Sequence, residues 1–304
     1  MVDRIEYDEL AYFAENAAEH GLAYERPPVV RRQEAVIGGG RRLSALVWGS
    51  GPPELVLLHG GAQNAHTWDT VALALDRPLV ALDLPGHGHS DGPGPARDGE
   101  LSAFGTAEDV AAAVGQLAPV ARAVVGMSMG GLATVALTKV APELVARAVL
   151  VDVTPGVTGQ KAKQITDFVN GPDRFADFDE ILARTIAFNP TRSESSLRRG
   201  ILHNAVQQPD GSWMWRHARW RAGAGAGHRT VPDYGLLWPL VSEIRVPLLL
   251  CRGMLPGSVV DDADEAELLR CRPDARVVRF PEAGHSIQGD MPVELARAID
   301  EFAP

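Results

Sequence analysis

Residues 122–134 have the sequence Arg-Ala-Val-Val-Gly-Met-Ser-Met-Gly-Gly-Leu-Ala-Thr, and this stretch decides the fold of the chain. A short β-branched run leads into Gly-x-Ser-x-Gly, centred on Ser128, and an alanine-rich helical pattern follows. A serine in a sharp turn between a strand and a helix exposes its hydroxyl over the carboxyl edge of a sheet. Gly126 and Gly130 flank the serine because so tight a turn leaves no room for a Cβ atom. The stretch therefore predicts a nucleophilic serine on a strand–turn–helix unit.

The overall composition is that of a soluble globular protein. The chain has 304 residues, of which 45% are hydrophobic and 22% are charged. This length is sufficient for one large domain or two modest ones. The net charge is −10, and there is no basic run. Nucleic acid and anionic membranes are therefore not expected as partners.

The cysteines and the N-terminus indicate a cytoplasmic location. Cys251 and Cys271 provide neither a disulfide framework nor a metal-binding quartet. The N-terminus is charged and lacks the apolar region of a signal peptide, and no apolar run is long enough to span a bilayer. No phosphate-binding loop, dinucleotide fingerprint or metal-ligand cluster is visible, so we expect neither a cofactor nor a metal.

Short apolar runs alternate with helical patterns along most of the chain. The runs are typical of strands buried on both faces of a parallel sheet; they are Leu55–Leu58, Leu79–Leu82, Ala123–Met127, Arg147–Val151, Val246–Cys251 and Ala275–Phe280. The helical patterns between and after them are Thr67–Leu75, Thr106–Leu117, Leu132–Val140, Asp264–Arg270 and Val293–Phe302. A β-hairpin over Val29–Ile37 and Leu43–Trp48 precedes them. This alternation predicts an α/β fold with a mostly parallel sheet and right-handed crossovers.

The alternation of apolar runs and helical patterns is interrupted between Pro155 and about Leu240. That segment is rich in Arg, Trp and Phe, and its apolar residues have helical spacing. An insertion at this position lies over the carboxyl edge of the sheet, where ligands bind in such folds. We therefore predict a core of residues 1–154 and 241–304, with a helical arm at 1–28, and a helical cap at 155–240.

Four motifs in order resemble those of the α/β-hydrolase fold family. They are Leu58–Gly61, Asp83–Ser90, Gly126–Gly131 and Gly284–Ser286. The resemblance extends from about Arg31 to the end of the chain, except for most of the insertion, which looks like the family's helical cap. Within the family, residues 63–68 and 150–155 look most like carboxylesterase-type serine hydrolases of actinobacteria. The resemblance implies a central sheet flanked by helices.

The same resemblance implies a base and an oxyanion hole. Serine needs a base to take its proton as it attacks, and His285 stands last in the Ser–acid–His order of the fold. The family pattern assigns the oxyanion-hole donors to the backbone N–H groups of Met129 and Gly61. Three other histidines are expected to be structural: His59 caps a strand end, and His87 and His89 stabilise a glycine-rich turn.

The acid is where the sequence departs from the family pattern. Most relatives carry it shortly after the strand that ends near Cys251, but Arg252–Ser258 contains no carboxylate. Asp152, which ends the strand before the insertion, is one substitute. Asp261 or Asp262 can serve instead if the loop folds back. An incomplete dyad that turns over slowly remains a further alternative.

The insertion supplies aromatic and cationic side chains. We expect most of the aromatic residues to form the cap's own core, and the remainder to line an apolar acyl pocket; they are Phe168, Phe175, Phe178, Phe188, Trp213, Trp215, Trp220 and Trp238. The arginines either bind a substrate carboxylate or, as we expect, lie on solvated faces; they are Arg198, Arg199, Arg216, Arg219 and Arg221.

These features together predict a cofactor-free serine ester hydrolase. The expected substrate is a small, fairly apolar carboxylic ester, which the enzyme cleaves through an acyl-enzyme intermediate. The same nucleophile also serves thioesterases, lactonases and C–C bond hydrolases, so these stay as alternatives. The missing acid motivates a third hypothesis, a non-catalytic small-molecule receptor on a hydrolase scaffold.

Overall fold

The computed structural model describes residues 4–92, 103–190, 192–217 and 231–304. Its strands are β1 (Val30–Val36), β2 (Arg42–Trp48), β3 (Leu55–Leu58), β4 (Leu79–Leu82), β5 (Ala123–Met127), β6 (Ala148–Val151), β7 (Arg174–Phe175), β8 (Ala205–Gln207), β9 (Trp213–Trp215), β10 (Leu248–Gly253) and β11 (Arg276–Phe280). Its helices are α1 (Phe13–Glu19), α2 (Asp69–Leu75), α3 (Ala103–Leu117), α4 (Met129–Val140), α5 (Lys163–Val169), α6 (Phe178–Phe188), α7 (Glu194–Asn204), α8 (Trp238–Glu243), α9 (Asp262–Cys271), α10 (Ile287–Asp290) and α11 (Pro292–Phe302).

One eight-stranded sheet organises the core, with the order β1-β2-β4-β3-β5-β6-β10-β11. Strand β2 runs antiparallel to β1 and to β4, and the remaining neighbours are parallel. The mostly parallel sheet and the leading hairpin predicted from the sequence are confirmed. Because parallel strands share a direction, the carboxyl ends of β3, β5, β6 and β10 meet at one edge.

Helices cover both faces of this sheet, which explains why its central strands are uninterrupted apolar runs. Val56 and Leu58 of β3 pack into a layer with α3, α4, α8 and α9. Leu55 and Leu57 face the opposite layer, with α1, α2 and α11. All four side chains are 0% exposed. Alternation within an all-apolar strand therefore supplies both halves of the core.

The N-terminal arm, predicted to be helical within residues 1–28, has a shorter helix. Among its described residues, 4–28, the helix extends over Phe13–Glu19. Phe13 and Ala17 are buried, and the Phe13 ring lies 4.9 Å from that of Trp48. The arm thus packs on the sheet through one turn of apolar residues.

The segment predicted to be a helical cap contains helices α5 to α7, the start of α8 and also a small sheet. Strands β7, β9 and β8 pair antiparallel in that order. The helices agree with the predicted helical spacing, whereas the sheet was not predicted, because strands of two or three residues are too short to show a period-2 pattern. Gly211, with φ of 92°, lies in the turn between β8 and β9. The division at residues 155 and 240 stays a prediction.

Within the described ranges, no helix combines the length and the apolar character needed to cross a membrane.

Candidate active site

Ser128 lies in the sharp turn between β5 and α4. Its φ of 51° and ψ of −117° are strained for a residue with a side chain; such strain costs about 1–3 kcal/mol and is found at functional sites. A Cβ atom on Gly126 would overlap the carbonyl of Gly130, and one on Gly130 would overlap the carbonyl of Leu58. The flanking glycines are thus required by close backbone approach, as the motif predicts.

Asp152 follows β6, the strand beside β5, and is fully buried. Its Oδ1 accepts hydrogen bonds from the Ser258 hydroxyl at 2.7 Å and from the Gly253 N–H at 2.9 Å. Its Oδ2 accepts from the Val259 N–H at 3.1 Å and from His285 Nδ1 at 2.9 Å. A buried carboxylate is destabilising unless hydrogen bonds replace its hydration. Four donors meet this requirement.

His285 lies on the loop between β11 and α10, and its side chain is 11% exposed. The loop crosses close above Gly253, where a Cβ atom would overlap the carbonyl oxygen of Gly284. The Gly284 N–H donates to Asp290 Oδ2 at 3.0 Å. Since a carboxylate only accepts, the contact with Asp152 fixes the proton on Nδ1 and leaves the lone pair on Nε2.

Ser128 and the pair Asp152–His285 occupy the same edge of the sheet. The Ser128 N–H donates to the carbonyl of Val151, the residue immediately before Asp152, at 3.2 Å. The three residues come from β5, β6 and the loop after β11. The fold therefore gathers a serine, an imidazole and a carboxylate from distant parts of the chain.

The carboxylate that contacts His285 is that of Asp152, and the two alternative acids have other partners. Asp261 caps α9 by accepting from the Asp264 N–H at 2.9 Å, and it pairs with Lys161. The Asp262 side chain is 96% exposed and pairs with Arg252 at 2.7 Å. Helix α9 begins at these residues, so the two carboxylates are engaged by its N-terminal turn and by these ion pairs.

Sequence reasoning missed the residues that hold Asp152 in place. Ser258, Gly253 and Val259 lie in or beside the loop where most relatives carry the acid, and here that loop donates hydrogen bonds. The only sequence signal was the lack of a carboxylate in Arg252–Ser258. That this loop donates hydrogen bonds to the acid becomes clear only when the position of Asp152 is known.

The turn after β3 lies next to Ser128. A Cβ atom on Gly60 would lie 3.2 Å from the Ser128 Cβ. The turn is fixed because the Gly60 N–H donates to Gln63 Oε1 at 3.1 Å and the Ala62 N–H to His87 Nε2 at 3.0 Å. Among the described residues, neither Gly61 nor Met129 donates a backbone hydrogen bond to another protein group. Both N–H groups are thus available to a ligand.

The three histidines predicted to be structural all have that role. His59 is buried, with Nδ1 2.7 Å from the Gly60 carbonyl and Nε2 accepting from the Leu84 N–H at 2.9 Å. Burial lowers its pKa, so it is neutral. His87 lies 3.0 Å from the Pro85 carbonyl through Nδ1. His89 stabilises the same turn through its backbone N–H, which donates to Asp83 Oδ2 at 2.9 Å, whereas its ring lies 4.0 Å from Glu9.

Most of the insertion's aromatic residues form its own core, as expected. Phe175, Phe178, Trp213 and Trp215 are buried together, with Phe168 packed against them. Trp238 instead packs on the main core. Trp220 lies outside the described residues.

The arginines of the insertion are engaged by protein groups. Arg199 is buried and binds Glu19 and Asn16 of the N-terminal arm, so the expected solvated face is wrong for it. The guanidinium of Arg198 lies 4.8 Å from the Phe178 ring centroid, and Arg216 donates to the His203 carbonyl at 3.0 Å. Arg219 and Arg221 lie outside the described residues.

Comparison with known proteins agrees with this geometry. The model of the alpha/beta hydrolase family matches residues 55–298. Esterase Rv0045c of Mycobacterium tuberculosis is 40% identical over 302 residues, which cover 96% of this chain and 95% of the esterase. A pimeloyl-[acyl-carrier protein] methyl ester esterase of Nitrosomonas europaea is 28% identical, over 82% of this chain and 94% of the relative. The mycobacterial match confirms the resemblance to actinobacterial esterases.

Solved structures give the same result. A structure of the M. tuberculosis esterase, from a study of its inhibition by transition metals, superposes with a TM-score of 0.82 at 39% identity. It covers 98% of this chain and 99% of that one. E-2-(acetamidomethylene)succinate hydrolase follows with a TM-score of 0.74 at 26% identity, covering 90% and 99%.

Proposed function

Because the chain belongs to the alpha/beta hydrolase family, we propose that it is a serine ester hydrolase that cleaves small, fairly apolar carboxylic esters. Ser128 is the nucleophile, His285 the general base and Asp152 the acid that orients it. The backbone N–H groups of Gly61 and Met129 form the oxyanion hole. The single observation that carries this proposal is the 2.9 Å contact between His285 Nδ1 and Asp152 Oδ2. This contact lies at the carboxyl edge of the sheet, where Ser128 occupies the turn between β5 and α4.

The reaction proceeds in two halves. His285 Nε2 takes the Ser128 proton while Oγ attacks the ester carbonyl, and the resulting tetrahedral oxyanion collapses when the imidazolium returns that proton to the leaving alcohol. Water, deprotonated by the same imidazole, then attacks the acyl-enzyme, and the imidazolium returns the proton to Ser128 Oγ as the carboxylic acid leaves. Ionised Asp152 stabilises the imidazolium in both halves.

Electrostatic stabilisation of the oxyanion comes from fixed backbone donors. Each donor of this type lowers the barrier by about 2.7–4 kcal/mol. Met129 begins α4, so its N–H also lies at the positive end of a helix dipole. The Gly60 contact with the serine turn supports the assignment of Gly61 as the second donor.

The contact between Asp152 and His285 also bears on the non-catalytic hypothesis. That hypothesis was motivated only by the lack of a carboxylate in Arg252–Ser258. The carboxylate that meets His285 comes from the end of β6 instead, which supports an enzyme over a receptor.

The test is turnover of p-nitrophenyl esters, from acetate to octanoate, by wild type and Ser128→Ala. Loss of the nucleophile should lower kcat by about 10⁶-fold and abolish labelling by a fluorophosphonate. Ser242→Ala, which removes an exposed serine, is the matched control and should behave as wild type. Equal turnover by Ser128→Ala and wild type would exclude Ser128 as the nucleophile.

A parallel panel of acyl-thioesters and lactones measures bond preference. Higher kcat/KM for thioesters than for esters of the same acyl chain would assign the site to thioesters while leaving its nucleophile unchanged.

A further inference from the structure

A second cluster of titratable side chains lies outside the proposed active site. It consists of His66, which follows the turn after β3, Asp69 at the start of α2, and His203 in the last turn of α7. His66 Nδ1 lies 2.9 Å and His203 Nε2 3.9 Å from Asp69 Oδ2. All three ligand atoms lie within 4.8 Å of one another. Tetrahedral coordination at about 2.0–2.1 Å separates ligand atoms by about 3.3 Å, and the observed distances bracket this value.

The cluster is buried and its hydrogen bonding is incomplete. The side chains of His66, Asp69 and His203 are 3%, 2% and 5% exposed. Among the described residues, no hydrogen-bond partner reaches His203 Nε2 or Asp69 Oδ1. Buried polar atoms of this kind are usually satisfied, so two in one cluster indicate a missing ligand.

The outer nitrogen of each ring already has a partner. His66 Nε2 lies 3.3 Å from Glu9 Oε2, and His203 Nδ1 lies 2.8 Å from the Tyr7 hydroxyl. Histidines that bind metals almost always donate their other ring N–H to such a group, which fixes the tautomer and directs the lone pair at the ion. The N-terminal arm therefore supplies the outer partners of both imidazoles.

We propose that His66, Asp69 and His203 bind a divalent transition-metal ion of the zinc class. Two imidazoles and one carboxylate are ligands that Zn²⁺ and Co²⁺ accept, with a fourth position left for water or for Asp69 Oδ1. Residues 66 and 203 come together only in the folded chain, so no local sequence pattern indicates this cluster.

Binding requires two local changes. The rings of His66 and His203 are stacked at 3.8 Å with an interplanar angle of 10°, so they must tilt apart to point both lone pairs at one ion. The hydrogen bond between His66 Nδ1 and Asp69 Oδ2 must also open, so that the ion takes the place of the proton between these two atoms.

The ion would join three parts of the structure. It would link the loop that follows the Gly61 turn to the end of α7 in the insertion, with Tyr7 and Glu9 of the arm in the outer layer. Asn64 already donates to the His203 carbonyl at 2.8 Å. The bound ion would thus cross-link the core and the insertion in the interior of the protein.

The test uses the full chain, stripped with EDTA and titrated with Co²⁺, whose visible absorption distinguishes tetrahedral from octahedral coordination. We expect one equivalent to bind with a tetrahedral spectrum. The near-isosteric variants His203→Gln and Asp69→Asn should weaken binding by at least about tenfold, since even an outer partner is worth 10–100-fold. His20→Gln is the matched control, because His20 lies on the N-terminal arm and outside the cluster.

Two further measurements keep the proposal falsifiable. His285→Gln should bind Co²⁺ like wild type, whereas loss of binding in this variant alone would place the ion at the Asp152–His285 pair and overturn the proposal. If the cluster variants fail to fold, X-ray absorption of Zn²⁺ on wild type counts imidazole ligands: two support the site, and one or none refutes it. Failure of the wild type to bind Co²⁺ would also refute it.

Discussion

Replacing Asp152 with asparagine tests the proposed catalytic geometry most directly. The carboxylate has two donors at Oδ1, from Ser258 and Gly253, and two at Oδ2, from Val259 and His285. An asparagine has only one acceptor atom, so its NH₂ group must face one of these pairs of donors. If the NH₂ group faces Val259 and His285, it donates a hydrogen bond to His285 Nδ1. The ring proton must then lie on Nε2, the atom whose lone pair takes the serine proton.

The opposite amide orientation is unfavourable as well. The NH₂ group then faces the Gly253 N–H, which cannot move because the carbonyl of Gly284 crosses close above that residue. Either orientation leaves a buried donor unpaired, which costs about 1–3 kcal/mol of stability, and both lose the charge that stabilises the imidazolium. The equivalent change in a serine protease lowers kcat about 10⁴-fold, which corresponds to about 5.4 kcal/mol.

The assay is kcat and KM for p-nitrophenyl butyrate, with circular dichroism to verify folding. We expect Asp152→Asn to lose about 10⁴-fold in kcat with little change in KM. Asp261→Asn and Asp262→Asn are the matched controls, and both should retain wild-type kcat. A loss of less than tenfold in Asp152→Asn, or an equal loss in either control, would refute the assignment of the acid.

Three further predictions concern the support of the acid, the packing of the N-terminal arm and the burial of β10. Ser258→Ala removes one of four donors to the acid, so kcat/KM should fall by up to about 30-fold, an intermediate effect worth at most about 2 kcal/mol; wild-type activity would exclude a positioning role. Arg199→Met breaks a buried pair with the arm and should lower the free energy of unfolding in urea by about 2–4 kcal/mol, because breaking such a pair is strongly destabilising; neighbouring Arg198→Ala should lose less than about 1 kcal/mol. Burial raises the pKa of the Cys251 thiol, so iodoacetamide at pH 8 should label only partly exposed Cys271 until the protein unfolds. Rapid labelling of both cysteines in the native protein would contradict the buried position of β10.

The elements that build the sheet could be predicted because their signals lie in adjacent residues. The apolar run before Ser128, the flanking glycines and the helix after them are a local pattern, and β5 and α4 match it within a few residues. The same holds for β3, whose unbroken run of apolar residues reflects burial on both faces. The three strands of the insertion were not predicted, because runs of two or three residues are too short to show a period-2 pattern.

The sequence by itself determined the α/β fold, the position of Ser128 and the order of the motifs that end in His285. Only the tertiary structure decided which carboxylate meets that imidazole, because Asp152, Asp261 and Asp262 differ in where their elements pack and not in their chemistry. The pairing of His66 with His203 was hidden for the same reason. Local periodicity specifies helices and strands, whereas a contact between distant residues depends on how these elements pack against one another.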